Sequence, residues 1–204
     1  MTPCRPPTRR LLRPPQPNPV STLDRPELDK RAAKLLKHLG FGTVPVPIDR
    51  VAKKLGAQLR YSPLDEELSG MVFIRDGVPI IGVNSLHHPN RQRFTIAHEV
   101  AHLQLHAEEV AKAVHVDKGF PETALRRSSI SATGLERIEI EANAFAASLL
   151  MPLHALEEAL SKHPVDIGDE TGLMRLAKLF RVSPATLQYR LRSLDPQAPS
   201  TKRR

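Results

Sequence analysis

The sequence predicts an α+β domain, and three observations carry that prediction. Two helical stretches come early, a group of short β-like runs with a hairpin signal follows, and long helices occupy the second half. The first helix is PELDKRAAKLLKHLG, residues 26–40, with Pro26 at an early position, apolar residues at 32, 35, 36 and 39, and Gly40 as the stop. PIDRVAKKLG, residues 47–56, repeats that grammar in a shorter form. The β-like runs are AQLRYS (57–62), SGMVFIR (69–75) and VPIIGV (78–83). Asp76-Gly77 between the last two marks a hairpin, because both residues tolerate positive φ. Helix returns from about 90 to 106, and a mixed stretch to about 134 contains HVDKG as an edge-strand candidate. ERIEIEANAFAASLL (136–150) is a long helix, Pro152 starts another turn or two, and 172–180 with 184–194 form a final helical pair. There is no internal repeat.

A chain of 204 residues suits one domain with tails. The expected division is a Pro/Arg-rich tail over 1–26, the main domain over 27–162, a C-terminal helical segment packed on it over 163–195, and a basic tail over 196–204. Eight prolines fall in the first 26 residues, too many for the amphipathic helix of a transit peptide and too many for packing. The formal charge is +8, but seven of those charges lie in the tails and residues 21–199 carry only +1, which weakens the case for a basic nucleic-acid surface. Purely apolar stretches reach about four residues, so neither a membrane span nor a signal peptide is expected. Cys4, the single cysteine, excludes an internal disulfide and a cysteine-based zinc site and fits a reducing compartment, so a cytoplasmic protein is expected.

The chemistry centres on FTIAHEVAHLQLH, residues 94–106. His98 and His102 stand one helical turn apart on one face, where both imidazoles can reach one zinc ion, and Glu99 between them can hold a metal-bound water. From this composition such a match arises by chance about 0.025 times per chain. At 100° per residue Ile96, Ala97, Val100, Ala101, Leu103 and Leu105 cover most of the helix, while His98, Glu99, His102 and His106 share a polar strip free of Lys and Arg. Such a strip suits a cleft wall better than a solvated face. His106 lies about 12 Å along the axis from His98, too far to share one ion, and is at most an outer neighbour of the site or substrate-facing.

A third ligand must come from elsewhere, and a carboxylate on the 136–150 helix gives the His₂Glu set of a catalytic zinc with one open position. That helix offers Glu136, Glu139 and Glu141. Glu141 shares a face with Ile138, Ala142, Phe145, Ser148 and Leu149, while Glu139, Glu136 and Asn143 point the other way. A carboxylate centred on an apolar face is costly unless paired or bound to metal, so Glu141 is the expected ligand.

RQRFTIAHEVAHLQLH, followed by Glu141 in EIEANAFAASLLMP, resembles the ImmA/IrrE family of metallopeptidases. VPVPIDRVAKKLGAQLRY, LSGMVFI and IIGVN resemble that family too, so the likeness covers roughly 28–194. The resemblance implies a zincin-like peptidase fold with a small sheet against the two motif helices, zinc (or manganese) on His98, His102 and Glu141, and Glu99 as catalytic glutamate. It implies peptide hydrolysis, with an Xre-type transcriptional repressor as the protein substrate whose cleavage releases stress or mobile-element genes. A substrate strand pairing with the sheet edge near 69–75 would set the register of a single cut. For the oxyanion donor the candidates are His106, Arg126 and Tyr61. Two other functions are open: a metal-binding antirepressor or toxin-linked scaffold without hydrolysis, and a nucleic-acid binder acting through LMRLAKLFRVSPATLQYRLRSL (173–194). Residues 171–194 hold Arg175, Lys178, Arg181, Arg190 and Arg192 with no acid, but Arg181 occupies the turn position where helix-turn-helix units usually have glycine.

Overall fold

In a computed structural model the protein is described over residues 23–112, 115–117, 134–165 and 169–194. Residues 1–22 of the expected N-terminal tail, the expected tail over 196–204 and Arg126 lie outside these residues, while Arg25 and Pro26, expected in the tail, belong to the first helix. Helix α1, Arg25–Leu39, starts where the Asp24 side chain accepts from the Glu27 amide at 2.9 Å and stops where Gly40 turns left-handed at φ 74°. Its buried face is Leu28, Ala32 and Leu36. Helix α2, Ile48–Lys54, buries Ile48, Val51 and Ala52.

The sheet contains β1 (Gln58–Ser62), β2 (Gly70–Arg75), β3 (Val78–Asn84) and β4 (His115–Asp117), in the spatial order β1-β3-β2-β4. The hairpin falls on Asp76 and Gly77, at φ 51° and 76°, the pair of positive values that a type I′ turn demands. β1 joins β3 in parallel, which requires the 63–69 loop to cross the end of the sheet. Asn84, fully buried at the end of β3, organises that loop: its Oδ1 accepts from the Leu64 and Leu86 amides and its Nδ2 donates to the carbonyls of Leu64, Asp65 and Leu68. HVDKG supplies an edge strand as expected, over His115–Asp117, antiparallel to β2. It also bears on the expected docking edge: Gly70, Met71 and Val72 are paired on both sides, so the open edges among the described strands are β1, β4 and the Phe73–Arg75 half of β2.

One face of the sheet, through Val72, Ile81 and Val83, packs on helix α3, Pro89–Leu105. The short α4 (Ala107–Lys112) follows, and α5, Gly134–Leu150, lies between α3 and α1. The chain ends in α6 (Leu153–Lys162), α7 (Glu170–Phe180) and α8 (Pro184–Leu194). Arg181 adopts the left-handed conformation at φ 54° despite its Cβ, and Arg93 Nε donates to its carbonyl at 3.2 Å. Arg190 is buried and forms a bidentate pair with Asp29 of α1. Only Pro184 and Arg192 of α8 are exposed and Leu187 and Arg190 are buried, so the segment offered as an alternative nucleic-acid reader presents little free basic surface on this helix. No helix among the described residues is long and apolar enough to cross a membrane.

Candidate metal centre

Helix α3 begins at His88, whose ring accepts from the Asn90 amide at 3.2 Å, with Pro89 in the first turn. Thr95 through His102 are all buried, so the strip that the helical wheel marked as polar faces protein. His98 and His102 Nε2 atoms lie 2.9 Å apart. Glu139 of α5 completes the group, with Oε2 at 3.2 Å from His98 Nε2 and Oε1 at 3.5 Å from His102 Nε2. Two ligands on a tetrahedral zinc with bonds of 2.0–2.1 Å stand about 3.3 Å apart. The two imidazole nitrogens and the two Glu139 oxygens lie at separations close to that value, so the three side chains are placed where they could share one metal ion.

Among the described residues, the group that could hold a metal takes in Glu139 and leaves out Glu141, the residue expected from sequence. Glu141 accepts from the Leu23 amide at 3.2 Å and lies 3.9 Å from His106 Nε2, on the side of α5 that faces the start of α1. The premise that failed is that α5 has one buried face. It is packed by α3 on one side and α1 on the other, and the apolar arc holding Glu141 is only partly the arc that meets the histidines. Glu136 is in α5, but its side chain is outside what is described.

Asn143, one turn beyond Glu139, completes the arrangement, with Oδ1 at 3.0 Å from His98 Nδ1. Accepting the Nδ1 proton leaves the Nε2 lone pair pointing at the donor triangle, the usual way in which an outer hydrogen bond fixes a ligating imidazole. The sequence did contain this signal: Glu139 and Asn143 form an i, i+4 polar pair on one face, facing the i, i+4 histidine pair.

Glu99 is fully buried, and Gly70 gives it room. A Cβ at Gly70 would lie 2.3 Å from Thr95 Cγ2, 2.8 Å from the Gly82 carbonyl oxygen and 3.4 Å from Glu99 Oε1. Glycine is thus what allows β2 to approach the motif helix where the glutamate sits. Ser69 beside it is held by Arg91, whose Nη2 donates to Ser69 Oγ at 2.9 Å. Neither Gly70 nor Asn84 was singled out from sequence.

His106 caps the end of α3 with its ring centroid 5.5 Å from that of His102. Burial lowers its pKa, against the opposing pull of Glu141 and Glu109, which favours a neutral imidazole. Tyr61 is half exposed on β1, two strand spacings or about 9–10 Å from β2, which removes it from the immediate surroundings of Glu99. A cavity of about 530 Å³ between α6 and α7, lined in part by Val165, Arg175 and Leu176, contains none of these groups.

A comparison with curated proteins finds no match. Among solved structures, one titled "Mycobacterium tuberculosis transcriptional regulator" is similar, with a TM-score of 0.57 at 20% identity over 84% of this chain and 48% of that one. The chain thus spans about half the length of that protein, and the likeness is one of fold. The profile of the peptidase M78 family, described as the IrrE N-terminal-like domain, matches residues 52–192 and so takes in the strands, both motif helices and the final helical pair. On that match, the chain belongs to the M78 peptidase family, the family of IrrE N-terminal-like domains.

Proposed function

We propose that the protein is a metal-dependent endopeptidase acting at a single bond of a specific protein, with His98, His102 and Glu139 holding the metal and Glu99 as general base. The observation that carries this is the cluster of His98, His102 and Glu139, with Nε2 atoms 2.9 Å apart and Glu139 oxygens 3.2 and 3.5 Å from them, beside a buried glutamate that lies between the two histidines in sequence. Bound zinc would acidify a coordinated water and polarise the scissile carbonyl, and manganese can occupy a set of this kind as well. Glu99 would accept the water's proton on its carboxylate and deliver it to the departing amine nitrogen. Asn143 keeps the His98 Nδ1 proton engaged, so that imidazole presents only its Nε2. His98, Glu99 and His102 are buried, which strengthens their electrostatic contacts, while Glu139 is partly exposed and leaves the site open on its side.

The substrate proposed is an Xre-type repressor, in keeping with the regulatory title of the structural relative, and the reaction takes place in the cytoplasm. An extended substrate would add beside β4 or the open half of β2. The experiment is to incubate the zinc-loaded protein and its Glu99→Gln variant with a purified Xre-type repressor. The wild type should yield two discrete fragments and the variant none, with metal content equal in both. Release of the repressor by the variant without cleavage would instead establish a metal-binding antirepressor.

A further inference from the structure

We propose that the outer faces of α1 and α2 form a surface that binds the phosphate backbone of double-stranded nucleic acid. Averaged over the body of the chain the charge is close to zero, but the fold segregates it. Residues 25–54 hold eight Lys/Arg and three Asp/Glu, so the rest of the body is net acidic. On α1, Lys30, Arg31, Lys34, Lys37 and His38 are all exposed and span about 120° of the helix surface opposite Leu28, Ala32 and Leu36. On α2, Arg50, Lys53 and Lys54 are exposed in the same way. Lys54 Nζ donates to the Leu39 carbonyl at 2.7 Å, which brings the ends of the two helices together.

Of the acids in this segment only Glu27 falls within that arc, where it offsets Arg31 and leaves Lys30, Lys34 and Lys37 as the uncompensated charges. Asp29 is engaged by buried Arg190, Glu27 pairs with Arg31 at 2.9 Å, and Asp49 is half-buried. An ordinary solvated face intersperses both signs. Arg31, Lys34, His38 and Gln104 also rim a cleft of about 270 Å³ between α1 and the end of α3, with room for a phosphate group. A protein partner would need apolar anchors at the centre of its contact. None of the exposed large hydrophobic residues, such as Leu86, Met174 or Leu179, lies on α1 or α2. A lysine-rich, anchor-free face matches a polyanion whose charges repeat every few ångströms, and binding there reads charge and not base sequence. All of α1 precedes residue 52, outside the segment matched to the family. The proposal does not rest on the peptidase chemistry.

The test uses the full chain and a fluorescein-labelled duplex of 20 random base pairs, read by anisotropy from 50 to 200 mM KCl. The parent carries Ser at Arg5, Arg9, Arg10, Arg13, Lys202, Arg203 and Arg204, so that the basic tails do not contribute. Contact with about four phosphates predicts a log–log salt slope of about −3.6. Lys30→Glu with Lys34→Glu and Lys37→Glu should weaken binding at least about 30-fold at 50 mM salt and flatten the slope, with an unchanged melting temperature, since all three side chains are exposed. Equal binding by this variant overturns the proposal, as does loss of all binding in the tail-neutralised parent. Loss in an Arg175→Glu, Lys178→Glu variant while the α1 variant binds normally would overturn it in favour of α7.

Discussion

Removing the Asn143 side chain should weaken metal binding without unfolding the protein. Its Oδ1 lies 3.0 Å from His98 Nδ1, and His98 is only 2% exposed, so water cannot readily replace the lost acceptor. Without it, the imidazole loses the partner that fixes its tautomer and orientation. Loss of such an outer hydrogen bond costs about 10–100-fold in metal affinity, which is about 1.4–2.7 kcal/mol. The assay is competition for zinc between the apoprotein and a fluorescent chelator, comparing wild type with Asn143→Leu, which keeps the volume, and Asn143→Asp, which keeps the acceptor. The leucine variant should lose affinity in that range, while the aspartate variant should equal or exceed the wild type. Wild-type affinity in a folded leucine variant would refute the assigned role of Asn143.

Further predictions concern packing and titration. Arg190→Ala leaves Asp29 without its bidentate partner and should destabilise the fold by about 3–5 kcal/mol, lowering the melting temperature by about 6–20 °C. Arg190→Met with Asp29→Leu should recover much of that loss, and a melting temperature unchanged in the single variant would show that the pair contributes nothing. Gly70→Ala forces a methyl group to 2.3 Å from Thr95 Cγ2 and 2.8 Å from the Gly82 carbonyl, an overpacking cost of about 1–3 kcal/mol, and should depress activity by displacing β2 from Glu99. Thr95→Ala should relieve it in part, and full activity in the single variant would contradict the close approach. The Tyr61 phenol should titrate above the usual value of about 10, because burial and then Asp49 disfavour the phenolate, and Asp49→Asn should bring it partway down in an ultraviolet titration. A Tyr61 midpoint at or below about 10 would contradict this.

The parts of the fold that the sequence foretold are those decided by neighbouring residues. Asp76-Gly77 sets the hairpin through its own backbone angles, and Pro26 and Gly40 delimit α1 locally. The parallel pairing of β1 with β3 was not legible, because it depends on Asn84 gathering a loop 16 to 20 residues away. The histidine pair and Glu99 were readable since the i, i+4 spacing is itself the geometry. The third donor was not, because a helical wheel gives faces but not the neighbour each face meets. Glu141 sat on the apolar arc as expected, yet that arc turns its carboxylate to Leu23 and His106, and the more polar arc carries Glu139 to the histidines. Arg181 shows the same limit in reverse: a residue disfavoured in a left-handed turn occupies one, its carbonyl taken by Arg93.

The central claim is that α5 closes the metal site through Glu139. Zinc stoichiometry and affinity, measured on the apoproteins of wild type, Glu139→Gln and Glu141→Gln, test it most directly. The geometry predicts one zinc per chain in the wild type and in Glu141→Gln, and a loss of affinity of at least about 100-fold in Glu139→Gln. Retained zinc in Glu139→Gln together with its loss in Glu141→Gln would contradict the site described here and return the ligand to Glu141.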